Sequence, residues 1–147
     1  MTFADMTTTY TIFAPPDQLF ERFEDTYKIN FSEASFEDAI ITDIILFHIA
    51  VGAIRYEDLV CWSELEMMNG EYSVTDCPTT TMLGIDLIQK GQMGAGNIHS
   101  NDVDDIPIII YEDIETCNGH IIHIVNNILL PIPIDEPIRK TTLDGHR

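Results

Sequence analysis

The dipeptide Asn69-Gly70 is the sequence feature that most restricts the fold of this chain. Asn-Gly strongly favours a two-residue type I′ turn between antiparallel strands, so it predicts a hairpin over residues 65–75. Cys61 lies eight residues before this turn, and Cys77 lies seven residues after it. Pairing of the strands about the turn brings the two cysteines opposite each other. We therefore predict a cross-strand disulfide and an oxidising compartment.

Length and charge limit the number of domains and the class of partner. A chain of 147 residues has the usual size of one domain, and 45% apolar residues are sufficient for one core. We predict a single domain over residues 1–147, with a core from about residue 8 to 133 and a short C-terminal tail. The 25 Asp and Glu outnumber the 7 Lys and Arg, and the net charge is −18. This balance excludes nucleic acid as a partner and disfavours anionic membrane surfaces.

Hydropathy predicts no segment of this chain that inserts into a membrane. The longest apolar run, residues 44–54, is interrupted by His48 and Gly52 and is shorter than the roughly 18 residues that a spanning helix needs. Residues 1–9 have neither the basic region nor the apolar block of a signal peptide. If the native protein is secreted, we expect its signal peptide and any anchor to be absent from this chain.

The first third of the sequence predicts a strand followed by two helices. A β-prone run over residues 10–14 stops at Pro15-Pro16, and a helix is predicted from Asp17 to Tyr27 because apolar residues recur there at helical spacing. A second helix is predicted from near Ser35, where the sequence resembles a capping box, to a point before Gly52.

The remaining segments predict mainly sheet. Residues 56–60 favour one more helical turn, and strands are predicted over 106–114 and 120–125. Residues 89–105 are rich in glycine and asparagine and are interpreted as a surface loop. The fold class that follows is α+β.

Four segments, in order, resemble the motifs of the fasciclin domain family. Residues 10–17 with Leu19-Phe20 resemble its first signature, and residues 118–125 continued by 127–131 resemble its second. Between them, Leu46-Phe47-His48-Ile49 with Gly52 resembles the central Tyr-His motif, and residues 65–70 resemble the strand and turn that follow it. The resemblance implies a wedge-shaped β-sandwich with helices packed along one side. It also implies an adhesion or extracellular-matrix role.

The resemblance points to two candidate adhesion sites. In animal fasciclin domains, an Asp-Ile pair before the second signature and the region of the Tyr-His motif are associated with integrin contact. The matching residues are Asp113-Ile114 and Phe47-His48, where phenylalanine replaces the tyrosine and removes its hydroxyl. The alternative interpretation makes Ile114 a core residue and Asp113 a turn carboxylate with a hydrogen-bond partner.

Metal and cofactor chemistry is not predicted. His120 and His123 are three apart on a predicted strand, so their side chains point to opposite faces and do not chelate one ion. His48 lies in an apolar helical run and is interpreted as a core histidine with a local hydrogen bond. A weak Ca²⁺ site at Asp102, Asp104 and Asp105 is the alternative to a solvated acidic loop, which lacks the glycine and distal glutamate of an EF-hand.

No nucleophile elbow or catalytic cysteine signature is present, and we predict that the chain is not an enzyme. The leading hypothesis is an extracellular or cell-surface module that binds a protein or polysaccharide partner. One alternative is a small-ligand or enzymatic domain with a site near His48 or in the Gly91–Asp105 loop. The other is a passive structural spacer. Asn30 begins a glycosylation pattern, and Cys117 is interpreted as a buried thiol or a link to another chain.

Overall fold

Nine strands and three helices follow one another in the computed structural model, which describes residues 8–27, 39–98 and 106–132. The strands are β1 (Tyr10–Ala14), β2 (Ile49–Val51), β3 (Glu64–Glu66), β4 (Tyr72–Asp76), β5 (Thr79–Met82), β6 (Ile85–Ile88), β7 (Gly91–Met93), β8 (Ile109–Glu115) and β9 (Ile121–Val125). The helices are α1 (Asp17–Tyr27), α2 (Ala39–Leu46) and α3 (Ala95–Ile98), and a 3₁₀ turn spans Tyr56–Asp58. The predicted start of the second helix near residue 35 lies outside the described residues.

The first sheet joins the two ends of the described chain. Its strand order is β2-β1-β9-β8, and β1 runs parallel to β9 at its centre. In that pairing Ile12 lies opposite Ile122, and Phe13 lies opposite His123. The two segments that resemble the family signatures are therefore neighbours in one sheet.

The second sheet, with strand order β3-β4-β7, is connected to the first at both of its edges. Ala50 of β2 bridges Met67 beside β3, and Gly91 of β7 bridges Ile108 beside β8. Each bridge carries a neighbouring backbone hydrogen bond, from Met68 N–H to Ile49 O at 2.8 Å on one side and from Ile109 N–H to Lys90 O at 2.9 Å on the other. The two sheets thus form a sandwich whose edges meet on both sides.

The core lies between the sheets and extends under the helices. The residues of β9 alternate between buried and half-buried positions, as expected for a strand that turns one face towards this core. The inner cluster consists of Phe13, Phe47, Ala50, Leu59, Met67, Ile109, Val125 and Leu129. A second cluster of Phe23, Ile44 and Ile128 packs with apolar residues of α1 and α2. Burial of each large side chain stabilises the fold by about 1.5–3 kcal/mol.

The interpretation of residues 89–105 as a surface loop is wrong for residues 91–98. Residues 91–93 form β7 inside the second sheet, and α3 follows. A Cβ atom added at Gly94 would overlap the carbonyl oxygen of Leu130 and lie 2.5 Å from Phe47 Cε2. Glycine is required at this position because backbone and ring approach closely, not because the chain turns in solvent. Residues 99–105 lie outside the described part of the chain.

The predicted hairpin between β3 and β4 forms, but its turn is not the predicted type I′ turn. Gly70 has a φ of 88° whereas Asn69 does not have a positive φ, and Gly70 N–H donates to Met67 O at 2.9 Å. This is a three-residue loop with glycine in the left-handed position. The side chain of Asn69 explains the difference, because it accepts from Glu71 N–H at 3.1 Å and donates to Asp43 Oδ1 at 3.0 Å.

The predicted disulfide between Cys61 and Cys77 is confirmed, with a Cα–Cα distance of 5.7 Å. Cys61 lies in the turn before β3, where Trp62 has a φ of 70° and donates its N–H to Thr75 O at 2.7 Å. The disulfide therefore fastens the chain segment that leaves β4 to the segment that enters β3.

Candidate functional site

His48 is a buried residue just after α2. Its Nδ1 lies 2.7 Å from Ile44 O, and its Nε2 accepts the Leu129 N–H at 3.0 Å. His48 is 5% exposed, and burial lowers its pKa to about 4. The imidazole is therefore neutral, carries its proton on Nδ1, and connects the end of α2 to the segment after β9.

His123 of β9 is fully buried and also uses both ring nitrogens, but in the opposite tautomer. Its Nδ1 accepts the Asp113 N–H at 3.2 Å, so the proton lies on Nε2, which donates to Ile54 O at 2.9 Å. Burial lowers the pKa of His123, although the hydrogen bond to Ile54 and the nearby acidic side chains oppose this effect. This histidine joins β8 and β9 to the segment that follows β2.

Both ring nitrogens of His48 and of His123 are occupied by hydrogen bonds to the backbone. Neither histidine therefore has a free lone pair to bind a metal ion or to accept a proton from a substrate. The Nδ1 of His120 also has a partner, because it accepts the Tyr10 N–H at 3.0 Å. Within residues 8–27, 39–98 and 106–132, the side chains of His, Cys, Asp and Glu form no group of three or more that suits a metal ion. The candidate Ca²⁺ residues Asp102, Asp104 and Asp105 lie outside these ranges, as does Asn30.

The Phe47-His48 candidate is inside the protein. Phe47 is fully buried and its ring packs over Gly94, while His48 makes the two hydrogen bonds described above. Neither side chain is available to touch a partner in this structure. Their position instead fixes the path of β2, which begins at Ile49.

The Asp113-Ile114 candidate lies on β8, where the pairing with β9 is interrupted by two register shifts. Asp113 has a φ of 58°, and its Oδ1 accepts the Tyr56 N–H at 2.8 Å. Ile114 is exposed rather than part of the core, and Tyr111 is 68% exposed. We call Ile110, Tyr111, Asp113 and Ile114 the β8 surface. An ion pair of 2.6 Å between Arg55 and Glu115 borders it.

Two further features were not predicted from the sequence. A cleft of about 450 Å³ lies where β2 meets the β3–β4 hairpin, and it is lined by Ala50, Val51, Ile54, Leu65, Glu66, Met67, Met68 and Gly70. The adjacent methionines at 67 and 68 are the only sequence signal for it, since methionine is common at adaptable apolar surfaces.

Cys117 is an exposed free thiol in the turn between β8 and β9, so its interpretation as a buried thiol is wrong.

The fold is an α+β sandwich of the fasciclin type. The model of the Fasciclin domain family matches residues 1–131, and the chain belongs to that family. Such domains occur in extracellular or cell-surface proteins and are commonly adhesion modules, and the disulfide fits that setting.

A solved structure carries the same fold. The FAS1 domain pair from the insect cell adhesion molecule fasciclin I is 14% identical to this chain, with a TM-score of 0.55. The match covers 92% of this chain and 41% of the domain pair, so the chain spans less than half of that structure. No curated protein matches the sequence. Among the described helices, none has the length and hydropathy to span a membrane.

Proposed function

We propose that this chain is an extracellular or cell-surface adhesion module that binds a protein or polysaccharide partner and catalyses no reaction. The observation that carries the proposal is the contrast between buried histidines with satisfied nitrogens and the exposed Tyr111 and Ile114 on the β8 surface. A catalytic site needs titratable groups within reach of a substrate. An adhesion site needs an exposed apolar anchor surrounded by polar groups, and aromatic residues are enriched in such anchors.

The backbone around Asp113 supports this use of β8. The hydrogen bond from the Tyr56 amide and the bond from Asp113 N–H to His123 hold the residue in a left-handed conformation that non-glycine residues adopt at a cost. Ile114 is therefore presented from a fixed segment and not from a mobile one. Preorganisation of this kind reduces the entropy lost on binding.

Attachment assays with the purified full chain test the proposal. Plates are coated with wild-type protein, a Tyr111→Ser/Ile114→Ser variant and an Ile45→Ser control, which changes an exposed isoleucine on α2. We expect cells to attach to the wild type and the control, and to attach several-fold less to the β8 variant. Soluble wild-type chain should compete for attachment. A wild-type coat that holds no more cells than a blocked plate contradicts the proposal and favours a passive spacer.

The cleft beside β2 favours a second candidate function, the binding of a small ligand. Its volume is within the usual range for ligand sites, and the half-buried Met68 can adapt to the shape of a ligand. A panel of fatty acids and aromatic compounds is screened by thermal unfolding. A rise in Tm that is lost in a Met68→Lys variant supports this candidate, and no rise with any compound rejects it.

A further inference from the structure

The hairpin formed by β5 and β6 extends away from the sandwich. All eight of its strand residues are exposed, and within the described chain its strands pair only with each other. Its base is fastened, because Gln89 N–H donates to Pro78 O at 3.0 Å and the disulfide at Cys77 lies two residues before β5. An isolated two-stranded hairpin is only marginally stable in water, so this anchored base maintains its shape.

The two faces of this hairpin differ in polarity. Residues that pair across antiparallel strands share a face, so Met82 with Ile85 and Thr80 with Leu87 occupy one face. The other face contains the Thr79–Ile88 pair and the Thr81–Asp86 pair, in which the hydroxyl of Thr81 donates to the carboxylate at 2.7 Å, so a single apolar side chain lies on this face. We call Met82, Ile85 and Leu87, together with Leu83 at the tip, the hairpin face. All four side chains are exposed, from 47% for Leu87 to 99% for Leu83.

Leu83 is in an unfavourable conformation for a leucine. It has a φ of 54° and Gly84 has a φ of 77°, which are the angles of a type I′ turn. Asn, Asp and Gly adopt the first position of this turn readily, whereas leucine does so at a cost. The side chain is 99% exposed, so burial within the described chain does not offset that cost. An exposed apolar side chain on a strained backbone indicates a contact made outside this chain.

The charges around the hairpin restrict what binds it. Residues 56–89 contain seven acidic side chains and no lysine or arginine. The acidic residues are Glu57, Asp58, Glu64, Glu66, Glu71, Asp76 and Asp86. The next cation, Lys90, is already engaged, since its Nζ donates to Tyr56 O at 2.8 Å. The hairpin face is therefore an apolar strip within residues 56–89, a segment of the chain whose charged side chains are all acidic.

We propose that the hairpin face binds a basic amphipathic helix of a partner protein. A sheet with one apolar face is normally covered by a helix, and a helix with lysine or arginine beside its apolar stripe complements the acidic region. A second copy of this chain fits less well, because it repeats the negative charge. A bilayer fits less well because the outer strand edges would be unpaired in hydrocarbon.

Titration with synthetic peptides tests the proposal. The probes are an amphipathic leucine–lysine helix, a scrambled leucine–lysine peptide of the same composition without an apolar stripe, and an amphipathic leucine–glutamate helix. Binding to the full chain is measured by calorimetry for the wild type and for an Ile85→Ser/Leu87→Ser variant. The Tyr111→Ser/Ile114→Ser variant is the matched control, because it changes equally exposed apolar residues on β8. Circular dichroism and thiol titration verify that each variant is folded and oxidised.

We expect the amphipathic leucine–lysine peptide to bind the wild type and the β8 variant equally, and to bind the hairpin variant about tenfold or more weakly. Equal binding of the scrambled peptide, or unchanged affinity in the hairpin variant, overturns the proposal because either result reflects net charge alone. Two other results also overturn it by assigning the face to another occupant. These are a dimer in sedimentation analysis that the hairpin substitutions abolish, and binding of phosphatidylcholine vesicles that requires the hairpin. Since the β8 surface is not involved, the adhesion proposal stands or falls separately.

Discussion

Acidification protonates His48 in the unfolded chain before it protonates His48 in the folded protein. The folded protein uses the lone pair of Nε2 to accept the Leu129 N–H, and a proton at that atom would break this hydrogen bond and place a charge in the core. Lowering the pH from 7 to 4 therefore destabilises the folded protein through His48. The substitution His48→Gln removes the titration and keeps one donor and one acceptor in the side chain.

The magnitude follows from the two pKa values. The folded pKa of His48 is about 4, below its ordinary value of 6.5, so between these values the unfolded chain binds more protons. The contribution of the neutral ring to stability is complete above the ordinary pKa and is lost as the pH falls towards the folded pKa. Linkage gives a loss of about 2 kcal/mol by about pH 5 and about 3 kcal/mol by about pH 4. His123, whose pKa is also lowered, acts in the same direction.

The assay is urea unfolding at a series of pH values, followed by far-ultraviolet circular dichroism with the disulfide intact. Fluorescence of Trp62 is the weaker probe, because this side chain is 65% exposed in the folded protein. Carboxylates titrate over the same range, so the quantity of interest is the difference between wild type and His48→Gln. We expect the free energy of unfolding of the wild type to fall by about 3 kcal/mol more than that of the variant between about pH 7 and pH 4.

Parallel pH curves for the two proteins would refute this reasoning. So would a folded-state pKa for His48 near its ordinary value, measured by titration of the ring nitrogens in NMR spectra. A wild type that unfolds with the expected slope while His48→Gln shows the same slope would assign the acid sensitivity to other groups. His123→Gln then serves as the comparison, because it removes the second buried imidazole.

Three further predictions concern stability. Replacement of Cys61 and Cys77 by serine opens a loop with a sequence separation of 16, so the free energy of unfolding should fall by about 3 kcal/mol. A reductant that destabilises the wild type and the variant equally would contradict this prediction. Gly94→Ala forces a methyl group against Phe47 and should cost about 1–3 kcal/mol in chemical denaturation, so an unchanged midpoint would mean that the packing relaxes freely. Leu83→Asn should raise stability by about 0.5–1 kcal/mol in the same assay, because asparagine tolerates the left-handed turn, and a loss of stability would show that the leucine contributes to folding.

Local signals in the sequence predicted several elements of the fold. The apolar run that ends at Pro15-Pro16 predicted β1 with its observed bounds, and the helical spacing after it predicted α1. The β5–β6 hairpin was missed because its turn, Leu83-Gly84, lacks the asparagine or aspartate that usually marks a type I′ turn. β7 was missed because a glycine needed for close packing has the same appearance in sequence as a glycine in a loop.

The candidate site was predictable only in part, because its geometry depends on residues that are distant in sequence. The apolar surroundings of His48 predicted a core histidine, but its partner Leu129 is 81 residues away in sequence and no local pattern identifies it. The exposure of Ile114 follows from the register shifts in β8, which reset the alternation of inward and outward side chains. Sequence spacing alone assumes an unbroken alternation, and therefore left open whether Ile114 belongs to the core.

The parallel pairing of β1 and β9 determines how this domain bears mechanical load. The chain enters β1 at Tyr10 and leaves β9 at Val125, and because the strands are parallel these two points lie at opposite ends of the ladder. Tension applied to the chain on either side pulls the strands past each other along their length. The hydrogen bonds between them then resist together instead of opening in succession.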